Sequence, residues 1–243
     1  SAWLAAVPQA PAQSAWPAKP VRIVVPYPAG GLTDGLARGY GDYIASKTGQ
    51  TVVVENKPGA AGMLAGADVA KSALDGHTFW FTLTGTMNQN RVLFKKMPYD
   101  PDKDFVHVSG FDSGPLPLAV LATSPWKTFK DLVDAARRQR VTLGNYSPGS
   151  YPHMLAQYMA TRMGLQVEAV PYKGESPMWV DVMGGQISAG LGSVPVLLPH
   201  TQSGRLRALA ANGRARSPLM PDVPIFSEQG FTDPVFTIAG WLG

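Results

Sequence analysis

The chain has 243 residues, with 21 Lys and Arg against 17 Asp and Glu, and it contains no Cys. This length allows one large domain or two modest ones, and the missing Cys excludes disulfides, thiolate metal sites and a Cys nucleophile. The net charge of +4 is mild, and the densest basic run, at residues 137–140, is typical of a solvated helix end. Nucleic acid is therefore not an expected partner.

Residues 1–15 carry almost no charge and are rich in Ala, Pro and Gln. The apolar run Leu4 to Val7 and the small-residue pattern around Ala12 are typical of the end of an export signal. The segment is therefore interpreted as a residual export signal or as a flexible extension. No stretch of 18 apolar residues occurs, so a membrane span is not expected.

Strands and helices alternate from the first strand onward, which predicts an α/β fold. The β-branched run Val21 to Val25 predicts a buried strand that ends at the following Pro. Apolar residues then recur at helical spacing, with Thr33 or Asp34 as the start signal and Gly49 as the end signal. The other elements predicted in this half are strands over 51–55 and 79–83 and helices over 63–73 and 88–94.

The pattern breaks near residues 98–102, where a stretch rich in Pro and charge predicts a crossing between two lobes. Beyond it, Thr128 and Asp131 form a capping box, and Ser176 with Pro177 predicts another helix start. Predicted strands cover 116–122, 141–146, 166–171, 187–191, 206–211 and 235–241, and predicted helices cover 129–138, 152–163, 176–183 and 196–203. We expect two lobes, each a mainly parallel sheet flanked by helices, with residues 16–104 and 225–243 in lobe 1 and 105–224 in lobe 2.

The loop after the first strand is the most informative segment. Pro26 to Gly31 lead through a Gly-Gly turn into a helix whose first N–H groups are unpaired, an arrangement that binds carboxylates or phosphates. The spacing fits neither a Walker loop nor the dinucleotide fingerprint. An ordinary βα turn capped by Thr33 and Asp34 explains the same residues without a ligand.

Two more polar loops end predicted strands, where an α/β sheet presents its ligands. Thr84 to Asn88 follow the third strand, and Asn145 to His153 precede a helix that Ser147 and Ser150 would cap. Two facing helix N-termini, one from each lobe, would clamp a molecule with two acidic ends. Plain helix capping explains each of these residues taken alone.

The signals for catalysis and for metal binding are weak. Ser150 and His153 with Asp34 or Asp181 would make a triad, but the G-x-S-x-G elbow is absent. The four His lack zinc-site spacing, and the alternating Asp run near residue 100 lacks the Gly and Glu of a calcium loop. We therefore expect neither an enzyme nor a cofactor or metal site.

Seven motifs occur in order along the chain, and together they carry a family resemblance. They are Val24 to Gly31 with Asp34, Val54 to Ala60, Asp75 to Thr78, Met97 to Phe105, Val170 to Gly174, Gly204 to Ala210, and Pro221 to Pro224. With these motifs the chain resembles the Bug family of periplasmic solute receptors, which serve tripartite tricarboxylate transporters.

The resemblance implies a Venus-flytrap receptor in a Gram-negative periplasm that closes two lobes over a small carboxylate. It implies a monomer that delivers the solute to membrane transporter subunits, with closure through the crossings near Phe105 and at 223–236. In such proteins the first βα loop holds a ligand carboxylate through backbone groups. Carried over, the ligand-binding residues are Tyr27, Pro28, Ala29, Gly30, Gly31, Thr33, Asp34, Thr84, Thr86, Asn90, Ser147, Ser150, His153 and Gly192.

The chain departs from the family pattern at three points. The loop from Tyr146 to His153 is short, and Met154 stands where the family commonly has His. Gly192 stands where the family commonly has an Asp that suits an amino group, so Gly192 favours a simple acid without ammonium. The chain stops at Gly243, where family members usually continue, which implies an incomplete first lobe. A solute sensor that signals to a membrane partner and, less favoured, a hydrolase or lyase acting on a small acid remain as alternatives.

Overall fold

The computed structural model describes residues 16–238 and 241–242, and within them helices and strands alternate around two main sheets. The strands are β1 (Val21–Val25), β2 (Val52–Asn56), β3 (Thr78–Trp80), β4 (Phe111–Asp112), β5 (Pro117–Leu121), β6 (Val141–Asn145), β7 (Val167–Pro171), β8 (Ala189–Leu191), β9 (Leu206–Ala211) and β10 (Trp241–Leu242). The helices are α1 (Leu32–Thr48), α2 (Met63–Ala70), α3 (Asn90–Leu93), α4 (Phe129–Ala136), α5 (Tyr151–Thr161), α6 (Glu175–Met183) and α7 (Val194–Gln202). A π-helical turn, Gly85–Gln89, precedes α3, and a 3₁₀ turn, Ala60–Gly62, precedes α2.

The first lobe is built on a parallel sheet with the strand order β2-β1-β3. The alternate residues Val21, Ile23 and Val25 of the central strand are buried and pack with Ala37 of α1. Helix α1 ends as predicted at Gly49, which adopts a left-handed conformation (φ 71°) and donates its N–H to the Ala45 carbonyl at 2.8 Å. The parallel order carries the carboxyl ends of all three strands to one edge of the sheet, which is where such sheets present ligands.

The second lobe is built on a five-stranded sheet with the order β7-β6-β8-β5-β9. β6 runs parallel to β7 and β8, whereas β5 runs antiparallel to both of its neighbours, β8 and β9. Four of the five strands therefore point the same way, and β5, the first strand after the crossing, is reversed. The prediction of two mainly parallel, helix-flanked sheets is confirmed, with β5 as its exception.

The segment over 225–236 packs differently from its predicted place in lobe 1. Phe226 and Phe236 are buried in the core of the second lobe, with their ring centroids 4.6 and 6.0 Å from that of Phe129. The predicted strand over 235–241 is also wrong in most of its length. Its first residues belong to a 3₁₀ turn, Pro234–Phe236, in which the Phe236 N–H donates to the Asp233 carbonyl. Of the described residues in this range, only Trp241 lies in a strand, as the first residue of β10. Residues 239–240 lie outside the described residues, as does the predicted export segment 1–15.

The segment that crosses from the first lobe to the second is tied to the C-terminal segment of the chain. β4 pairs antiparallel with β10, and the buried side chain of Asn212 accepts the Leu116 N–H and donates to the Ile238 carbonyl. Phe105 still packs on Trp80 in the first lobe, so the first crossing begins after it. Over the described part of the chain, no helix combines the length and the apolarity that a bilayer span requires.

Candidate functional site

A cavity of about 100 Å³ lies between the two lobes, enough for several water molecules or a small organic molecule. From the first lobe it is lined by Tyr27, Pro28, Gly31, Leu32, Thr33, Leu83, Thr84, Gly85 and Gln89. From the crossings and the second lobe it is lined by Ser113, Leu116, Tyr146, Ser150, Tyr151, Met154, Gly174, Glu175 and Ile238.

The loop from β1 to α1 is fixed from beneath by the buried side chain of Asp34. Its Oδ2 accepts the Gly30 N–H at 3.0 Å and the Arg38 Nε–H at 3.1 Å. The Asn56 amide donates to both Asp34 Oδ1 and the Tyr27 carbonyl, each at 2.9 Å. Burial raises the pKa of Asp34, but the hydrogen bonds from Arg38, Gly30 and Asn56 outweigh it and hold that pKa below its usual value. The carboxylate therefore stays charged and sets the shape of the loop.

The helix start differs in detail from the prediction that Thr33 or Asp34 caps α1. Gly31 is the N-cap residue and no side chain caps it. Asp34 lies in the first turn and reaches back beyond the cap to Gly30. The first helical bond runs from the Gly35 N–H to the Gly31 carbonyl at 3.0 Å, so the N–H groups of Leu32 and Thr33 have no partner within the helix.

Three helix N-termini converge on the cavity. α1 contributes Leu32, α5 contributes Tyr151, and α6 contributes Glu175, each the first residue of its helix and each in the cavity wall. The N-terminus of a helix presents unpaired N–H groups and the positive end of the helix dipole. A carboxylate or phosphate is the ligand group that such an arrangement stabilises.

The second-lobe loop is held by its own hydrogen bonds. The Ser150 hydroxyl donates to the Ser147 carbonyl at 2.6 Å, and the Ser147 hydroxyl donates to the Pro148 carbonyl at 3.1 Å. Ser150 occupies the N-cap position of α5, but neither hydroxyl caps the helix, in contrast to the prediction. The Gly149 N–H donates to Nδ1 of His153 at 2.9 Å, so this imidazole braces the loop.

Phenol groups dominate the polar part of the cavity wall. The Tyr27 hydroxyl hydrogen-bonds to Thr86 Oγ1 at 2.8 Å, and burial raises the pKa of Tyr27, Tyr146 and Tyr151. All three phenols are therefore neutral hydrogen-bond donors at physiological pH. The buried Tyr151 hydroxyl and Gln89 Oε1 have no hydrogen-bond partner within the described part of the chain.

Glu175 is the acidic residue that sequence reasoning missed. Its Oε2 accepts the Ser193 N–H at 3.1 Å and the Ser193 hydroxyl at 2.8 Å. Burial raises the pKa of Glu175, and the hydrogen bonds from Ser193 and Trp179 offset part of this rise. The residue begins α6, one position before the Ser176 start that was predicted, with Gly174 as the N-cap.

Gly192 lies behind Glu175 and is not part of the cavity wall. A Cβ atom at this position would lie 2.9 Å from the Trp179 ring and 3.1 Å from Glu175 Oε2. The space beside Gly192 is therefore already filled, and one of the groups that fills it is a carboxyl. This weakens the interpretation that Gly192 implies a ligand without ammonium, because Glu175 brings an acidic group to the same place.

The structure distributes the predicted site residues over three layers. The cavity wall includes Tyr27, Pro28, Gly31, Thr33, Thr84 and Ser150. Ala29 and Gly30 contact the other lobe, where the Ser176 hydroxyl donates to the Ala29 carbonyl at 3.4 Å. The supporting layer consists of Asp34, Thr86, Asn90, Ser147, His153 and Gly192, of which Asn90 holds the Ala61 carbonyl at 2.9 Å.

Several wall residues were not predicted as ligand contacts. Tyr146 and Tyr151 lie within the polar loop that the sequence singled out, so the loop itself was the signal for them. Gln89 lies on the π-helical turn one position before the predicted Asn90. Glu175 had no signal, because it sits at an ordinary helix start and becomes part of the cavity only through the approach of the lobes.

Positive side chains play no part in the wall. Of the described residues that line the cavity, none is Lys, Arg or His, and the described ranges contain no group of three or more His, Cys, Asp or Glu placed to hold a metal ion. The described wall thus offers backbone N–H groups, hydroxyls and the Gln89 amide as hydrogen-bond donors.

Two α/β lobes, a crossing segment tied to the C-terminal segment and a cavity at the helix N-termini are the architecture of periplasmic solute-binding proteins. Residues 36–243 match the model of the tripartite tricarboxylate transporter family receptor, TctC, and the chain belongs to this family of solute-binding receptors. Protein BugT of Bordetella pertussis is 36% identical over 234 residues, which cover 93% of this chain and 70% of that protein.

Solved structures show the same fold. An R. palustris protein solved with adipate is 33% identical to this chain, with a TM-score of 0.88 over 93% of this chain and 76% of that one. MatC from Rhodopseudomonas palustris with bound malate is 29% identical with a TM-score of 0.81, over 94% and 78% of the two chains. The periplasmic binding protein BugD is 28% identical with a TM-score of 0.82, over 94% and 76%.

Proposed function

We propose that this protein is a periplasmic receptor that captures a small carboxylate-bearing solute between its lobes and delivers it to the membrane subunits of a tripartite tricarboxylate-type transporter. It acts as a monomer, without a cofactor or a metal ion. The observation that carries the proposal is the convergence of three helix N-termini on an inter-lobe cavity whose described wall has no cationic side chain.

The choice of a carboxylate over a phosphate rests on two supports. The cavity is small and partly apolar, with Leu83, Leu116 and Met154 in its wall, which suits the carbon chain of an organic acid. The relatives whose ligands are named hold adipate and malate, both of them carboxylates. Both lobes supply uncharged hydrogen-bond donors, so the affinity for the acid comes from backbone N–H groups at the helix N-termini and from tyrosine hydroxyls.

The hydrogen bonds around the candidate triad support a receptor over a hydrolase. The Ser150 hydroxyl donates to a carbonyl, and His153 Nδ1 accepts a backbone N–H. Asp181 accepts the Tyr172 hydroxyl at 2.6 Å, and Asp34 is committed to the β1–α1 loop. None of these groups is paired as a nucleophile with its base.

A thermal-shift screen of mono-, di- and tricarboxylates, aromatic acids and amino acids tests the proposal. A bound acid at about 100 times its Kd stabilises the native state by about 2.7 kcal/mol, which corresponds to roughly 5–10 °C in Tm for a chain of this size. An unchanged Tm with every acid would contradict the proposal.

Two follow-up measurements separate the alternatives. Incubation of the bound acid with the protein should leave the acid chemically unchanged by NMR, whereas a product would identify a hydrolase or lyase. Deletion of the gene should abolish uptake of that acid. Normal uptake together with a lost cellular response would identify a sensor.

A further inference from the structure

We propose that Glu175 decides which solutes the cleft accepts, by favouring an acid that presents a hydrogen-bond donor to α6 over an acid that presents a second carboxylate there. The donor is a hydroxyl, an amide N–H or an ammonium group. This inference rests on the proposed function and defines the solute class within it.

The position of the Glu175 carboxyl is fixed by neighbouring residues of the second lobe. Ser193 donates two hydrogen bonds to its Oε2, and the Trp179 indole is a further donor beside the carboxyl. Trp179 closes the space behind it, since a Cβ on Gly192 would already lie 2.9 Å from the indole and 3.1 Å from Oε2. The side chain is thus fixed in the cavity wall.

Among the described residues that line the cavity with Glu175, none carries a positive charge. The titratable groups that line the cavity with it are the phenols of Tyr27, Tyr146 and Tyr151, from the β1–α1 loop, the β6–α5 loop and α5. The partners from α6 and α7 are the neutral Trp179 and Ser193. A second solute carboxylate beside Glu175 would place two like charges together without a counter-ion, whereas a hydrogen-bond donor on the solute interacts favourably with the Glu175 carboxylate.

Protonation of Glu175 also allows its carboxyl group to accommodate a second solute carboxylate. Burial raises the pKa of Glu175, so the protonated form is reached at a higher pH than for an exposed Glu. Protonated Glu175 donates a hydrogen bond to a second carboxylate, and this contribution is lost as the pH rises through the raised pKa. A dicarboxylate should therefore bind more tightly as the pH falls, and an ω-amino acid less tightly.

A matched series of six-carbon acids tests the assignment: 6-hydroxyhexanoate, 6-aminohexanoate and adipate, with the four-carbon set 4-hydroxybutyrate, 4-aminobutyrate and succinate. Calorimetric titrations at about pH 7.5 and about pH 5.5 compare the wild type with Glu175→Gln. Gln keeps the shape and the acceptor for Ser193 but carries no charge. Glu168→Gln, at an exposed position on β7, is the control.

We expect the wild type to favour the hydroxy or amino acid over the diacid of equal length by roughly tenfold or more at the higher pH. Glu175→Gln should reduce that ratio by roughly tenfold and abolish the tightening of diacid binding at the lower pH. Glu168→Gln should match the wild type.

The outcomes separate this inference from the proposed function. Binding with the same hydroxy-acid to diacid ratio in the wild type and Glu175→Gln overturns the role of Glu175 and leaves the receptor function standing. Failure of every acid in the series and in the thermal-shift screen contradicts the receptor function, and the role of Glu175 falls with it. Thermal unfolding of the ligand-free variants confirms that each is folded.

Discussion

Replacing Asp34 with Ala should lower the free energy of unfolding by about 2–3 kcal/mol and weaken solute binding by roughly tenfold or more. The substitution leaves the Gly30 N–H and the Asn56 amide without the carboxylate that accepts from both. It also removes the ion pair with Arg38, but this guanidinium is half exposed, so the lost ion pair adds little to the loss of stability. The first-lobe loop then loses the network that fixes the Tyr27 carbonyl and Gly30. Chemical denaturation and calorimetric titration measure the two effects.

The effect of Asp34→Ala on stability should depend on pH in a defined direction. The pKa of Asp34 is lowered in the folded protein from the ordinary value of 3.8. Its contribution is therefore complete above that ordinary value and is lost as the pH falls through the lowered pKa. Asp42→Ala, at an exposed position on the same helix, should change neither stability nor affinity appreciably. An equal loss in both variants would refute the role assigned to the Asp34 network.

Replacing Gly174 with Ala should lower both stability and affinity, because this glycine has a backbone conformation that other residues avoid and touches the opposite lobe. Its φ is 132°, and a Cβ would lie 2.8 Å from Cδ of Pro28 in the first lobe. The backbone strain costs about 1–3 kcal/mol. The contact with the rigid Pro28 ring opposes closure of the lobes, and we expect roughly a tenfold or greater loss of affinity.

Two variants separate strain from obstructed closure. Gly185 also has a positive φ (69°), but a Cβ there would meet no atom within 4 Å, so Gly185→Ala should reduce stability and leave affinity unchanged. Adding Pro28→Ala to Gly174→Ala removes the obstructing ring atoms and should recover part of the lost affinity. Affinity that stays as low in the double variant as in Gly174→Ala would show that lobe contact is not the cause.

The sequence predicts much of the local structure because its signals are local. The β-branched run of β1, the Gly49 helix end and the Thr128–Asp131 capping box all appear as expected. Each depends on a few neighbouring residues and on backbone preferences. The β1–α1 loop was predicted for the same reason, since a strand, a Gly-Gly turn and a helix start are contiguous in the chain.

The parts that sequence reasoning missed depend on distant contacts. Phe226 and Phe236 join the second lobe because they pack on Phe129, roughly a hundred residues away, and no local pattern records this choice. Glu175 enters the cavity only because the lobes approach each other. The reversed direction of β5 likewise follows from strand pairing and not from the composition of β5 itself.

The Asp34 carboxylate behind the first-lobe loop and the helix N-termini at the cavity have different roles in the site. A buried anion, Asp34, shapes the first-lobe loop from behind through hydrogen bonds to Gly30 and Asn56. Under the proposed function, the solute carboxylate is bound by helix N-termini, whose N–H groups are fixed in direction by the helices.

The most direct test of this account is a crystal structure of the protein with the acid that gives the largest Tm increase. The account predicts that the acid lies between the lobes, with a carboxylate oxygen within about 3 Å of the Leu32 or Thr33 N–H groups and with its other end at Glu175. An acid that binds outside this cavity, or whose carboxylate pairs with a Lys or Arg side chain, would contradict it.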